Sequence, residues 1–293
     1  MHDSRSEFVS IGSQRLHLRH WGRDQAPLLF VLHGWMDCAA TFQFMVEALR
    51  GDWHIIAPDW RGFGESDWNP GSYYAPDYLA DLDALLTRYS PRQPVYLAGH
   101  SMGAMVAGLY AGIRPERVRA LALIEGFGLP DSRAQEAPGR YARWLKERRD
   151  APRFSPLPSL ESVTRKLQDR NPRLSAARAL WLAEQLTHTG PDSAELCYRA
   201  DPRHKMVNPV LYRLAEAQAC WRQIRCPVLW VIGGDMWDHP MAKGVFDTLE
   251  SRRACFAQLR EVTVADSGHM VQWEQPEQLA TVLEDFFSAI SRE

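Results

Sequence analysis

Short apolar runs alternate with segments of helical spacing over the first hundred residues of the chain. The runs at residues 28–32, 55–57 and 95–98 are bounded by Gly, Pro or Asp and are short enough to be buried strands. Between them, residues 41–49 and 80–89 carry apolar side chains at helical spacing. Strands that alternate with helices predict a parallel sheet with helices on both of its faces.

The same alternation continues to about residue 128, stops, and resumes near residue 224. The later elements are predicted to be a helix from Met102, strands at 120–124, 228–232 and 261–264, and helices at 241–249 and 276–290. We therefore expect residues 1–128 and 224–293 to form one α/β core.

Residues 129–223 have a different pattern from the two flanking stretches. This segment opens with five prolines and then shows helical spacing at 176–186 and 210–221, without a strong strand signal. It is predicted to be a helical cap or lid, because insertions after a core strand lie over the carboxyl edge of the sheet, where ligands bind. Residues 131–180 hold twelve Lys and Arg against six Asp and Glu. Solvated helix faces explain this excess better than attraction of an acidic substrate.

Composition restricts the classes of protein that the chain can belong to. Its 293 residues, 45% apolar and 24% charged, can fold as a soluble globular protein with a large core. A net charge of −2 argues against nucleic-acid partners, and apolar runs of at most five residues predict no transmembrane helix. The polar N-terminus lacks the pattern of a secretion signal, so a cytoplasmic location is expected. Five scattered cysteines suggest neither disulfides nor a zinc site, and we expect no metal or cofactor.

A nucleophile motif follows the third predicted strand. Residues 99–103, Gly-His-Ser-Met-Gly, match G-x-S-x-G between a strand and a helix, which is the context that the motif requires. The flanking glycines make room for a sharp turn that exposes the serine hydroxyl. Ser101 is therefore predicted to be a catalytic nucleophile, and the alternative, that it only caps a helix, would leave the other motifs as coincidences.

A second motif follows the first predicted strand, where residues 28–32 lead into His33, Gly34 and Trp35. With these two motifs the sequence resembles the α/β-hydrolase superfamily, in particular its lidded serine esterases, at both ends of the chain and less so in the insertion. The resemblance implies an α/β-hydrolase fold, a mostly parallel sheet with helices on both faces and a helical lid. It also implies an oxyanion hole formed by the backbone N–H groups of Trp35 and Met102.

Two further loops resemble family motifs. Residues 58–67 look like the D-x-R-G-x-G-x-S loop, in which Asp59 and Arg61 are expected to brace the backbone rather than to react. Residues 266–276 resemble the terminal Gly-His loop, which implies that His269 is the general base. His33 and His100 belong to the motifs but are expected to orient backbone.

The acid of the predicted triad stays open. The common family spacing, G-x-x-D, counted from Gly233 ends on Met236, which departs from the pattern. Asp235 and Asp238 flank this position, and some lidded relatives take the acid from the end of the strand after the nucleophile helix, where Glu125 stands. Glu125 and Asp235 are equal candidates, with Asp238 behind them.

A serine nucleophile with a histidine base and an oxyanion hole predicts acyl transfer from a small-molecule ester to water. Related dehalogenases and epoxide hydrolases have Asp at the nucleophile position, so Ser101 excludes both chemistries. Thioesterase, lactonase and C–C bond hydrolase activities stay possible with the same residues. A hydrolase-fold protein that only binds a ligand is the alternative from another class.

Overall fold

The computed structural model describes residues 3–190, 195–235 and 244–291. Its strands are β1 (Arg5–Ile11), β2 (Gln14–Trp21), β3 (Leu28–Leu32), β4 (His54–Pro58), β5 (Val95–His100), β6 (Val118–Ile124), β7 (Thr187–Thr189), β8 (Leu196–Tyr198), β9 (Val228–Gly233) and β10 (Leu259–Val264). Its helices are α1 (Gln43–Ala48), α2 (Ala75–Tyr89), α3 (Met102–Ile113), α4 (Ala137–Arg149), α5 (Leu160–Arg170), α6 (Ala176–Leu186), α7 (Leu214–Trp221), α8 (Leu249–Arg253), α9 (Val271–Glu274) and α10 (Pro276–Ser291).

Eight strands form one sheet in the order β1-β2-β4-β3-β5-β6-β9-β10. The pairs from β4 to β10 are parallel, whereas β1, β2 and β4 pair antiparallel with one another in turn. The prediction of a mostly parallel sheet is confirmed, although β1 and β2 were not expected. Because parallel strands end at the same edge, the loops after β3, β5, β6, β9 and β10 meet there.

Helices pack on both faces of this sheet, as predicted. On one face, α2 inserts Leu82, Leu85 and Leu86 into a core that also contains side chains of α3. On the other face, α10 contributes Leu279 and Leu283, one helical turn apart, to a second core beside α1. Both cores consist of side chains that are almost fully buried, so hydrophobic burial fixes the sheet between its two helical layers.

The inserted segment differs in two ways from the expected helical lid at 129–223. It includes a small antiparallel sheet, β7 with β8, where no strand was expected. In addition, α7 packs against α3: Leu214, Ala217 and Trp221 belong to the main core, and the Cys220 backbone lies where a Cβ on Gly112 would be. Helix α7, although it lies within residues 129–223, therefore packs on the sheet domain.

One of the contacts between the inserted segment and the core is made by the loop at residues 61–65 and by Tyr73. Gly64 N–H donates to the Arg199 carbonyl oxygen at 2.9 Å, and Asp201 N–H donates to the Gly62 carbonyl oxygen at 2.8 Å. The His204 ring stacks between the rings of Phe63 and Tyr73, with centroids 3.8 and 3.7 Å apart. Backbone pairing and ring stacking together fix this end of the insertion above the sheet.

The same loop is held by two buried carboxylates. Asp59 accepts hydrogen bonds from the N–H groups of Ala39 and Glu65 and lies 2.7 Å from His17 Nδ1. Arg61 donates to both carboxylate oxygens of Asp81, at 2.7 and 2.6 Å. These contacts agree with a bracing role for Asp59 and Arg61.

The helix expected at 241–249 lies in part outside the described residues. Beyond residue 243 the chain forms a single 3₁₀ turn, Phe246–Thr248, before α8 begins at Leu249. Among the helices in the described ranges, none is both long enough and apolar enough to span a membrane.

Candidate active site

Ser101 lies on a sharp turn between β5 and α3. Its backbone has φ 50° and ψ −113°, an unusual conformation for a residue with a side chain. A Cβ on Gly99 would lie 2.5 Å from the Gly103 carbonyl oxygen, and a Cβ on Gly103 would lie 2.2 Å from the Leu32 carbonyl oxygen. Only glycine fits at these two positions, so the G-x-S-x-G spacing reflects the close packing of strand, turn and helix.

We expect Gly103→Ala to lower the unfolding free energy by about 3 kcal/mol, because its methyl group would overlap backbone atoms that cannot move independently. Urea unfolding followed by circular dichroism would measure the change. Gly139→Ala is the matched control, because Gly139 is a helical glycine with no neighbour within 4 Å of an added Cβ. The unfolding free energy of this variant should rise by up to about 1 kcal/mol. Equal stabilities for the two variants would contradict the packing argument.

Three predicted residues meet at the carboxyl edge of the sheet. Ser101 Oγ lies 3.0 Å from His269 Nε2, and His269 Nδ1 lies 3.2 Å from Glu125 Oε2. Both distances are within hydrogen-bonding range. The turns that follow β5 and β6 and the loop after β10 supply the three residues, so the sheet order brings together positions that are up to 168 residues apart.

Glu125 is the first residue after β6 and its side chain is fully buried. Its second carboxylate oxygen, Oε1, accepts a hydrogen bond of 2.6 Å from Gly233 N–H at the end of β9. Burial raises the pKa of Glu125, while the hydrogen bonds from His269 and Gly233 lower it in part. Each oxygen of this carboxylate therefore has a defined partner.

The other two acid candidates have different placements. The Asp235 carboxylate is half exposed and accepts a hydrogen bond from Arg173 Nη1 at 2.6 Å. Its backbone N–H donates to the Ser267 carbonyl oxygen, which ties residue 235 to the loop before His269. Asp238 and Met236 lie outside the described residues. Of the two described candidates, the structure brings Glu125 to His269 and directs Asp235 toward Arg173.

Backbone contacts hold the His269 loop in place. His100 Nε2–H donates to the His269 carbonyl oxygen at 2.8 Å, and burial lowers the pKa of His100 well below its usual value, which keeps that ring neutral. The buried Glu274 carboxylate accepts a hydrogen bond from Gly268 N–H at 2.6 Å. Glu274 was not identified from the sequence as a contact of this loop. Its spacing from the Gly-His pair was the available signal for this role.

The loop after β3 passes directly against the serine. A Cβ on Gly34 would lie 2.8 Å from His100 Nδ1 and 3.3 Å from Ser101 Cβ. The His33 ring fixes this loop, because Nδ1–H donates to the Gly34 carbonyl oxygen and Nε2 accepts from Trp60 N–H. The histidines at 33 and 100 thus contact backbone, as expected.

Strained backbone is concentrated at this edge of the sheet. The non-glycine residues with positive φ in the described ranges are Met36, Ser101, Glu125 and Asp266. Each follows the carboxyl end of a strand, namely β3, β5, β6 and β10. Such conformations cost free energy and cluster at functional sites.

Asp37 is a buried carboxyl group that the sequence analysis did not identify. It accepts hydrogen bonds from Cys38 N–H and the Thr41 hydroxyl, and the Gln272 side chain, three residues after His269, faces it. Burial raises the pKa of Asp37 from 3.8 to about 7. The hydrogen bonds of Asp37 therefore hold the loop that follows Trp35 against Thr41.

We expect the unfolding free energy to fall as the pH rises from about 4 to about 7, because over this range folded Asp37 holds a proton that the unfolded chain has lost. The contribution is at most roughly 4 kcal/mol. Asp37→Asn mimics the protonated acid and should match the wild type at pH 4 but exceed it in stability at pH 8. Urea unfolding at both pH values would test this, and stability curves that stay parallel would contradict it.

An apolar cavity of about 420 Å³ opens beside Ser101. It is bordered by α2, by α3 and by residues 203–209 of the insertion, and Trp35 and Met102, the predicted oxyanion residues, both line it. Trp35 is about half exposed and stands at the cavity wall. The space lies between the sheet domain and the inserted segment and is large enough for a small organic ligand.

Comparison with known proteins adds four findings. A family model described as alpha/beta hydrolase fold matches residues 27–276. A serine hydrolase-like protein of Danio rerio is 26% identical over 286 residues, covering 91% of this chain and 83% of the relative. A thioesterase domain from the curacin biosynthetic pathway superposes with a TM-score of 0.83 at 22% identity, covering 96% of this chain and 99% of the other, which speaks for the fold alone. A hypothetical protein of Pseudomonas aeruginosa PAO1, PA1622, has a TM-score of 0.81 at 25% identity, with coverage of 97% and 99%.

Proposed function

The chain belongs to the α/β-hydrolase fold family, and from this premise we propose that it is a serine hydrolase that cleaves carboxylic esters through an acyl-enzyme. Ser101 is the nucleophile, His269 the general base and Glu125 the acid of the triad. The observation that supports the proposal best is the continuous path from Ser101 Oγ to His269 Nε2, 3.0 Å, and from His269 Nδ1 to Glu125 Oε2, 3.2 Å.

In the first half of the reaction, Ser101 Oγ attacks the ester carbonyl carbon while its proton passes to His269 Nε2. The buried Glu125 carboxylate accepts the hydrogen bond from His269 Nδ1–H and stabilises the imidazolium that forms. The carbonyl oxygen becomes an oxyanion, and the backbone N–H groups of Trp35 and Met102 donate to it. Met102 is the first residue of α3, so the positive end of that helix adds to the stabilisation.

His269 then gives its proton to the departing alcohol, and the acyl group stays on Ser101, which completes acylation. In the second half, water attacks this acyl-enzyme and gives a proton to His269 Nε2. His269 returns that proton to Ser101 Oγ as the bond from Oγ to the acyl carbon breaks and the carboxylic acid leaves. The inserted segment acts as a cap on the apolar cavity and limits access of bulk water.

A fluorophosphonate probe tests the proposal directly, because the activated serine displaces fluoride from phosphorus and keeps the phosphonyl group. We expect one adduct, on the peptide that contains Ser101, and its loss in His269→Ala. Folded wild-type protein that takes up no probe would contradict the proposal and favour a protein that only binds a ligand. Rates with a p-nitrophenyl ester, an acyl thioester and a lactone would then separate the ester hydrolase from a thioesterase or lactonase.

A further inference from the structure

The apolar cavity extends from Ser101 along helix α3. Met102, Met105, Val106 and Leu109 line it from α3. Their spacing of three and four residues places them on one face of the helix, beginning next to Ser101. From Met102 to Leu109 this stripe is about 10 Å long.

The rest of the cavity lining is also mostly apolar. It includes Leu79 of α2 and Met206 and Val207 of the insertion. Unbranched methionine side chains adapt their shape to a flexible ligand. Arg203, which also lines the cavity, donates a hydrogen bond to the Asn69 carbonyl oxygen and forms an ion pair with the buried Asp201 carboxylate. Glu125 also lines the cavity, and both of its carboxylate oxygens already have partners, His269 Nδ1 and Gly233 N–H. The cavity therefore offers hydrophobic contact along its length rather than a free ionic partner.

The position of the histidine decides which part of an ester the cavity can hold. The departing alcohol must lie next to His269, which donates its proton. As far as the described residues go, the cavity lining includes Ser101, Trp35 and Met102 but not His269. The half of the ester that extends along α3 is therefore the acyl half.

We propose that this cavity is an acyl-chain site, that the protein acts on esters of unbranched medium-chain fatty acids, and that Leu109 sets the length limit. The inference rests on the proposed function. An extended chain advances about 3.5 Å over three bonds, so the stripe of about 10 Å takes an acyl chain of roughly eight carbons. Each buried methylene should raise kcat/KM by about fourfold until the chain reaches Leu109.

Two ester series with one constant half each test the assignment. With p-nitrophenol as the constant leaving group, kcat/KM should rise by about fourfold per methylene from acetate and level off near octanoate. With acetate as the constant acyl group, lengthening the alcohol should change kcat/KM by less than about twofold per methylene. A flat acyl series, or a steep rise in the alcohol series, would overturn the proposal.

Variants of Leu109 test the length limit in opposite directions. Leu109→Trp should fill the far end and lower kcat/KM for octanoate by roughly tenfold, with acetate little changed, and Leu109→Ala should move the optimum to longer chains. Ile113→Trp is the matched control, since Ile113 is exposed one turn further along α3 and lies outside the cavity. An unchanged optimum in active Leu109→Ala would refute the role of Leu109.

The outcomes also separate this inference from the proposed function. If no ester is cleaved and no probe labels Ser101, the proposed function fails together with this inference. If the probe labels Ser101 but the acyl series is flat, the inference alone is refuted.

Discussion

Ser101→Ala is expected to lower kcat for ester hydrolysis by about 10⁶-fold, the scale of loss when the nucleophile of a serine hydrolase is removed. The substitution deletes one oxygen atom and keeps the Cβ, so the strained backbone at φ 50° is not altered further. The hydroxyl has no role as a helix cap, since its side chain makes no capping hydrogen bond to α3. Hydrolysis of p-nitrophenyl esters by wild type and variant at equal concentration would measure the effect.

The residual rate in this variant is informative as well. An intact oxyanion site should still leave roughly 10³ to 10⁴ over the rate in water. Thermal unfolding should give nearly the same midpoint for both proteins, and Ser10→Ala on the exposed edge strand β1 controls for preparation effects. Activity close to wild type in Ser101→Ala would refute the nucleophile assignment.

The central strands could be predicted because they are buried on both faces. All six residues of β5 and all six residues of β9 are buried, so each strand contains a continuous run of apolar residues in the sequence. The missed strand β2 is also mostly buried, but two of its inward residues are histidines, His17 and His20. Their polar atoms meet Asp59 and Glu7. These partners lie on another strand or far away in the sequence. The sequence around β2 therefore shows no apolar pattern that would predict a buried strand.

In the candidate site, too, the part that a sequence motif records could be predicted, and the part that depends on remote partners could not. The turn at Ser101 obeys a steric rule that the motif records. Glycine is required at 99 by the backbone of the motif itself and at 103 by the backbone at the end of the neighbouring strand β3. The acid follows no such rule. Which carboxylate serves as the acid depends on which candidates already pair with other side chains. The partner of Asp235 is Arg173, which lies 62 residues away in the inserted segment. Spacing from Gly233 alone therefore could not choose between the strands.

Glu125→Gln is expected to lower kcat by about 10⁴-fold, the loss seen when the acid of a serine protease triad becomes an amide. The direction of the amide is fixed by its surroundings. Gly233 N–H lies 2.6 Å from Glu125 Oε1 and requires an acceptor, so the amide oxygen of Gln must stay there. The amide nitrogen then faces His269 Nδ1 and donates to it. This places the imidazole proton on Nε2, where it blocks proton transfer from Ser101.

Asp235→Asn and Asp238→Asn complete the comparison. Asp235 is half exposed and its carboxylate pairs with Arg173, an ion pair of the kind that contributes at most about 1 kcal/mol, so kcat should stay within about threefold of wild type. Fluorophosphonate labelling rates should follow the same order as kcat, because labelling also needs His269 in the correct tautomer. A loss near 10⁴-fold in either aspartate variant, with Glu125→Gln still active, would transfer the acid role to the strand after the insertion. Three active amide variants would instead leave a Ser-His dyad as the catalytic unit, with Glu125 acting only to hold the Gly233 backbone.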